Sequence, residues 1–197
     1  ELPQVEQVHG LTLQNELIRT SWTNHGGALE KLWLRKYKAP YEGEEGEERP
    51  TLVLLRDFEE GYYSDVIERV TFLPVQAQDA ASRESITTSE INYEVVEQNA
   101  NRIVFEGILD PRLAVRKTIT IEPDNYHYNV DLRFINRTEG PLRFTYRLRT
   151  AAGITREILN SRYLATAVGV LQDGEFDVQQ TDAGDLSAGN VTNESTD

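Results

Sequence analysis

The most informative absences in this 197-residue chain are those of cysteine and of clustered histidine. Without cysteine, the chain has no disulfide framework and no thiolate for catalysis or metal binding. The three histidines, His9, His25 and His127, do not stand at metal-ligand spacing from one another, and no cysteine completes a zinc site. The sequence therefore predicts no metal site.

The chain also has no methionine and no long apolar run, and it has fewer positive than negative residues. Because there is no methionine, the sequence does not begin at a translation start, and we expect an excised segment of a longer protein. No apolar run approaches the roughly 18 residues that a membrane-spanning helix needs. With 20 Lys and Arg against 33 Asp and Glu, the formal net charge of -13 argues against nucleic acid or an anionic membrane surface as partner.

The chain is rich in segments that alternate between apolar and polar residues. From Tyr126 to Phe134 the even-numbered positions are apolar, and from Leu142 to Leu148 the pattern repeats. Alternation with a period of two is typical of half-buried strands, so we predict an all-β fold, a β-sandwich. The other predicted strands are Leu11–Leu13, Leu17–Thr23, Ala28–Arg35, Leu52–Leu55, Arg69–Leu73, Ile91–Glu97, Arg102–Leu109 and Leu113–Ile121.

Two predictions concern how these strands connect. The last two alternating segments are expected to form a hairpin with Phe134 opposite Phe144, because that register also sets Asp131 opposite Arg147. Near the end of the chain, "VLQDGEFDV" places Asp173-Gly174 between strand-like flanks, which favours a two-residue hairpin loop.

The remaining segments set the expected domain borders. We predict one sandwich domain over residues 1–180, with a mobile acidic, glycine-rich loop at 42–50, and a polar tail or linker over 181–197. The segment "ITREILNSRYL" at 154–164 has a weak helical pattern, enough for a turn or two.

The stretch "TNHGGALEKLWLRKYK" contains two adjacent glycines, Gly26 and Gly27. A phosphate-binding loop would need a Walker-type Lys and Ser/Thr, or a third glycine, and strand-like residues follow instead. The pair is therefore predicted to form a tight turn that uses positive φ.

No catalytic motif is recognisable, so we predict no catalytic residue, no cofactor and no enzymatic activity. Four aromatic residues are candidates to line a groove, although core packing is the commoner use of aromatics in a sandwich. They are Trp33, Tyr37, Tyr62 and Tyr63.

Two stretches resemble the large periplasmic domain of the YidC membrane-protein insertase family. The first is "NELIRTSWTNHGGALEKLWLRKYK", and the second is "VRKTITIEPDNYHYNVDLRFINRTEGPLRFTYRLRTAAGI". The residues that carry the pattern are Gly26, Gly27, Leu34, Tyr37, Lys117, Thr118, Tyr126, Val130, Asn136, Gly153 and Ile154.

The resemblance implies a β-supersandwich similar to galactose mutarotase, incomplete at its C-terminal end. It implies a periplasmic domain of a bacterial inner-membrane protein that inserts and folds membrane proteins, alone or with the Sec translocon. The domain itself would be a non-catalytic docking or scaffold module toward SecD/SecF, translocon components or nascent membrane proteins.

A carbohydrate-binding or mutarotase-like protein is the alternative, since the implied fold is shared with a sugar enzyme. That alternative predicts a deep pocket holding His127 and a carboxylate within hydrogen-bond reach. The interaction domain predicts instead an exposed apolar and aromatic surface, without a cluster of strongly perturbed ionisable groups.

Overall fold

The computed structural model of the protein describes residues 5–39, 48–56, 63–75, 83–150, 165–172 and 175–182. The chain divides into two compact units, Glu1–Thr155 and Arg156–Asp197. Within the described residues there are strands and no helix, which confirms the all-β prediction. The strands are β1 (Leu11–Gln14), β2 (Ile18–Thr23), β3 (Ala28–Lys38), β4 (Thr51–Arg56), β5 (Val66–Leu73), β6 (Glu84–Thr87), β7 (Glu94–Gln98), β8 (Arg102–Asp110), β9 (Leu113–Ile121), β10 (Tyr128–Asn136), β11 (Arg143–Arg149), β12 (Ala165–Gln172) and β13 (Glu175–Asp182).

The first unit is a sandwich of three antiparallel sheets. Their strand orders are β1-β2-β3-β4, β10-β9-β8-β7 and β11-β5-β6. All three sheets contribute to one core, as shown by the buried side chains of Trp22, Phe105 and Val70. Strand β9 alternates strictly between buried and half-buried residues, as its sequence predicts. A β-sandwich is confirmed, and the likeness to galactose mutarotase stays a prediction.

The second unit contains the hairpin of β12 and β13. The two strands pair antiparallel from Ala165 opposite Asp182 to Gln172 opposite Glu175. Because the register closes on Gln172 and Glu175, the predicted two-residue connection is confirmed, although Asp173 and Gly174 lie outside the described residues.

The double-glycine turn is formed as predicted. Gly26 and Gly27 have φ of 65° and 56°, in the left-handed region that favours glycine. The buried Asn24 holds this turn, since its carbonyl oxygen accepts bonds from the amides of Gly27 (3.2 Å) and Tyr93 (2.8 Å). Its side chain also accepts from the amide of Val8 (2.7 Å). The turn thus ties the start of the chain to the segment before β7.

The predicted β10–β11 hairpin is wrong. Strand β10 pairs with β9, and β11 pairs with β5 in another sheet. In the connecting loop, the Asn136 side chain accepts from the amide of Thr138 (2.9 Å) and donates to the carbonyl of Gly140 (2.8 Å). The amide of Arg137 donates to the carbonyl of Arg112 (2.9 Å). The Asn136 bonds fold residues 136–140 into a compact turn, and the chain then enters a different sheet.

Several strand borders differ from the sequence prediction. Strand β6 was not predicted because its four residues are mostly polar, and β7 begins at Glu94 rather than Ile91. Strand β13 extends to Asp182, within the segment assigned to the polar tail. The weak helical pattern at 154–164 and most of the acidic loop, 42–47, lie outside the described residues.

Candidate functional site

A lysine occupies the inner face of β9. Lys117 stands in the inward row of the strand, between Val115 and Ile119, and its side chain is fully buried. Its Nζ donates a hydrogen bond to the main-chain carbonyl oxygen of Asp65 and lies 5.8 Å from the centroid of the Trp22 ring. A buried ammonium needs such partners because water no longer solvates it.

Asp65 brings a second polar group to the same place. It lies just before β5 with a φ of 58°, a left-handed conformation that aspartate tolerates better than most residues. Its Oδ2 accepts a hydrogen bond of 2.6 Å from the hydroxyl of Tyr128. The Tyr128 ring meets the Trp22 ring edge to face, with centroids 5.3 Å apart. We call Trp22, Asp65, Lys117 and Tyr128 the core polar cluster.

Burial shifts the titration of two members of this cluster. It lowers the pKa of Lys117 to about 8, against an opposing effect of the nearby Asp65 charge. It also raises the pKa of Tyr128 well above its usual range, and the charge and hydrogen bond of Asp65 act in the same direction. Both groups are therefore uncharged over a wider pH range than in water.

The core polar cluster joins three sheets, and its lysine is closed off from solvent. Trp22 belongs to β2, Lys117 to β9 and Tyr128 to β10, while Asp65 leads into β5. A lysine with a lowered pKa is typical of nucleophilic sites, but Lys117 has no exposed surface from which to attack a substrate. The expectation that such perturbed groups would be missing was wrong. The buried lysine could have been predicted from the sequence, because Lys117 lies in a row of β9 whose other inward residues are apolar.

A second feature lies on the outer surface of the sheet β11-β5-β6. By strand alternation, Arg143, Arg147 and Arg149 share one side of β11, and Arg69 lies directly opposite Arg147 on β5. We call these four residues the arginine face. The sequence analysis noted the polar side of this strand but not the partner strand that adds Arg69.

Glu68 is the carboxylate of this surface. The register passes from Ile67 opposite Leu148 to Arg69 opposite Arg147, so Glu68 is the extra residue of a β-bulge. Its Oε2 lies 3.2 Å from Nε of Arg147, and its Oε1 lies 3.1 Å from Nη1 of Arg149. An open polar groove of about 320 Å³ runs beside it, lined by Glu68, Arg69, Thr87, Ser89 and Arg147.

Another groove, of about 200 Å³, lies on the sheet β10-β9-β8-β7. Its lining is mostly apolar and includes Ile108 and Ile135, with the carboxylates of Glu94 and Glu106 beside them. This volume is below the roughly 300–1,000 Å³ typical of small-molecule sites, so it suits one or two side chains better than a sugar.

The structure separates the candidate groove aromatics. Trp33 lies half-buried on β3 beneath the guanidinium of Arg19, 5.2 Å from its ring centroid. Tyr37, at the exposed end of the same strand, contacts Tyr126 with centroids 6.2 Å apart. Tyr63 is buried near the start of β3, and Tyr62 lies outside the described residues. The described aromatics therefore do not form a common groove.

The histidines are likewise apart. His9 contacts Glu30 at 2.6 Å, and His25 contacts the Asn92 side chain at 2.9 Å. His127 is exposed just before β10, whereas the sequence analysis placed it within the strand. It lines neither of the two grooves described above.

The residues of the family pattern occupy structural positions. Gly26 and Gly27 form the turn before β3, which carries Leu34 and Tyr37. Lys117 lies in the core polar cluster, and Thr118 follows it on the opposite side of β9. The others are Tyr126 before β10, Val130 and Asn136 on β10, and Gly153 and Ile154, which lie outside the described residues.

Across the described ranges, no group of three or more His, Cys, Asp or Glu side chains is placed to hold a metal ion. In the same part of the chain, no helix has the length and apolar character required to traverse a membrane.

Comparison with known proteins places most of the chain in one protein family. A family model described as the YidC periplasmic domain matches residues 10–197. No curated protein and no solved structure matches the chain.

Proposed function

The chain belongs to the family of YidC periplasmic domains, and on that premise we propose that it is a non-catalytic interaction domain of a YidC-type inner-membrane protein insertase. In this role the domain faces the periplasm and acts as a scaffold. It holds SecD/SecF, a translocon component or an emerging membrane protein near the insertase. The insertion reaction itself belongs to another part of the protein.

The observation that carries this proposal is the distribution of side chains between core and surface. The groups with chemically useful pKa shifts, Lys117 and Tyr128, lie in the core polar cluster, and Lys117 is wholly inaccessible. Large apolar side chains are exposed instead, among them Tyr37 (51 %), Ile135 (39 %) and Tyr146 (47 %). Exposed aromatic and aliphatic side chains are contact points that protein interfaces use, and they supply no catalytic group.

Site-specific photo-crosslinking in the full-length insertase tests the proposal. A photoreactive residue would replace Tyr37, Ile135 or Tyr146, one at a time, in cells that are synthesising membrane proteins. We expect adducts that mass spectrometry identifies as SecD/SecF, translocon subunits or nascent membrane proteins. The matched control places the same residue at the buried Ile119, where any adduct must be intramolecular.

A domain deletion provides the second half of the test. If the domain is a scaffold, an insertase from which only this domain is deleted still inserts a membrane protein that needs no partner of the domain. Insertion of a membrane protein that does need such a partner becomes less efficient. Failure to find protein adducts at all three exposed positions would contradict the proposal. So would binding of a hexose by the intact domain, which would favour the carbohydrate alternative.

A further inference from the structure

Strand β11 lies at the edge of its sheet and has two chemically different sides. In the described residues it pairs with β5 on one edge, and no strand pairs with its other edge. One side carries Arg143, Arg147 and Arg149. The other carries Tyr146 (47 % exposed) and Leu148 (37 % exposed), which leave apolar surface uncovered beside the core. An edge strand also presents unpaired main-chain N–H and C=O groups.

The arginine face already binds one carboxylate from its own chain. Glu68 lies between Arg147 and Arg149, with contacts of 3.2 and 3.1 Å. Arginine guanidinium groups suit carboxylates because their planar donors match both oxygens. The contact with Glu68 shows that a carboxylate fits between the arginines of this strand.

Part of the charge of the arginine face has no carboxylate partner among the described residues. Of its four arginines, Arg147 and Arg149 contact Glu68, whereas no described carboxylate contacts Arg69 or Arg143, although the whole chain has a formal net charge of -13. Arg69 and Arg147 stand directly opposite each other, and like charges in that position repel. Arg143 is exposed and contacts no carboxylate among the described residues. Further carboxylates would therefore be attracted to this surface.

We propose that the free edge of β11 accepts an extended acidic segment of a protein partner as an added antiparallel or parallel strand. Neighbouring strands lie about 4.8 Å apart, so side chains of the added strand opposite Arg143 and Arg147 fall within contact range. The segment has Asp or Glu at alternate positions, which face these arginines. The residues between them are apolar and face Tyr146 and Leu148.

This inference rests on the proposed interaction function and names the chemistry of the partner. A protein segment is favoured over an anionic lipid surface because the edge of β11 combines three features that an extended chain can match residue by residue. These are main-chain hydrogen-bonding groups, alternate arginines and alternate apolar side chains. A lipid headgroup uses the arginines but not the other two.

Fluorescence anisotropy with the whole 197-residue chain tests the inference. The probe is a labelled nine-residue peptide that alternates Glu with Val or Tyr. Its control is a peptide of the same composition with the glutamates grouped at one end. We expect the alternating peptide to bind about tenfold more tightly, because only it can present carboxylates and apolar groups to opposite sides of β11.

A matched pair of variants locates the contact. Arg143→Gln should weaken binding of the alternating peptide by about tenfold, since a charge-assisted hydrogen bond is lost. Arg133→Gln removes the same charge from an exposed position on β10 and should change binding by less than about twofold. Circular dichroism and urea unfolding establish that both variants remain folded.

Three outcomes would overturn the inference. The first is equal binding of the two peptides, because the arginine face would then act as unspecific charge. The second is equal weakening by both variants. The third is that phosphatidylglycerol vesicles bind in an Arg143-dependent way while the peptide does not, which would assign the surface to lipid. If peptide binding fails while crosslinking to proteins succeeds, the interaction function stands and only this partner chemistry is wrong.

Discussion

The rings of Phe134 and Phe144 contact each other edge to face, with centroids 5.0 Å apart and an interplanar angle of 64°. Their strands are not hydrogen-bonded neighbours, because β10 pairs with β9 and β11 pairs with β5. Both side chains are partly buried against the main core. The contact therefore joins two sheets through side chains rather than through a backbone ladder.

A double-mutant cycle measures this contact. Phe134→Ala and Phe144→Ala should each lower the free energy of unfolding, and their coupling energy should be about 1 kcal/mol, as for other aromatic pairs. The control cycle combines Phe134→Ala with Tyr37→Ala, because the Tyr37 ring contacts Tyr126 and not the Phe134–Phe144 pair, and it should be additive within about 0.5 kcal/mol. Full additivity of the Phe134 and Phe144 changes would mean that the rings do not interact in solution.

The same pair shows what could be predicted from the sequence and what could not. Alternation correctly indicates which residues of β10 are the more buried, and the double glycine correctly indicates a turn. On β11 it holds for Phe144, whereas Tyr146 and Leu148 stay exposed. Alternation does not distinguish two strands paired side by side from two strands that face each other across a core. Phe134 and Phe144 contact each other as expected, but between sheets, because β10 pairs with β9 and β11 pairs with β5.

Only part of the core polar cluster could be predicted from the sequence. The inward position of Lys117 follows from the apolar residues on either side of it in β9. Its partner Asp65 is 52 positions away in sequence and is brought near by a left-handed backbone conformation. The arginine face was similarly incomplete, because Arg69 joins it only through the pairing of β5 with β11. Long-range pairing is the missing information in both cases.

Gly107 is a position where an added methyl group should be costly. A Cβ atom there would lie 2.3 Å from Cδ1 of the fully buried Tyr93 ring, which has no room to move. Gly107→Ala should therefore lower the free energy of unfolding by about 2–3 kcal/mol, measured by urea denaturation. Gly140→Ala is the control, since no atom lies within 4 Å of its Cβ position, and it should change stability by less than about 0.5 kcal/mol. Similar effects of the two changes would contradict the close packing of Tyr93.

The hydroxyl of Tyr93 is buried without a hydrogen-bond partner in the part of the chain that the structure describes. Because an unsatisfied buried hydroxyl is unfavourable, Tyr93→Phe should raise the free energy of unfolding by about 1 kcal/mol at pH 7. Thermal and urea unfolding give the measurement. Phe105→Leu is the comparison, because Phe105 is as buried as Tyr93 but has no hydroxyl. This change should be destabilising. A destabilised Tyr93→Phe variant would show that the hydroxyl does have a partner in solution.

Burial of Lys117 predicts that stability rises with pH in the alkaline range. Its folded-state pKa of about 8 lies below the usual 10.5, so between these values the unfolded chain holds a proton that the folded chain has released. Unfolding then takes up a proton, and stability rises by up to about 3 kcal/mol between pH 8 and 10.5. Burial raises the pKa of Tyr93 and Tyr128, so above about pH 10 their ionisation favours the unfolded state.

Urea unfolding from pH 7 to 11 should therefore show greatest stability near pH 10. Lys117→Met should remove the rise above pH 8, because methionine cannot titrate. Lys36→Met is the control, since Lys36 is exposed on β3, and it should keep the rise. If Lys117→Met keeps the same pH dependence as the wild-type protein, the lysine does not account for it.

Asp65→Asn tests how the carboxylate acts on the rest of the core polar cluster. Asparagine also tolerates the left-handed conformation, and its side-chain oxygen can accept the hydrogen bond from Tyr128. The variant therefore removes a charge with little change of shape. Since the Asp65 charge opposes the effect of burial on Lys117, its loss should lower the pKa of Lys117 further, and the rise of stability should begin below pH 8.

NMR observation of the Lys117 side chain through a pH titration measures this shift directly. Asp65→Ala is the comparison, because it also removes the acceptor and leaves the Tyr128 hydroxyl without its partner. We expect Asp65→Ala to be the less stable variant at pH 7, by about 1–3 kcal/mol. If Lys117 titrates at the same pH in the wild-type protein and in Asp65→Asn, the carboxylate does not act on the lysine. The cluster would then be held by the main-chain carbonyl of Asp65 alone, and the aspartate would serve Tyr128 only.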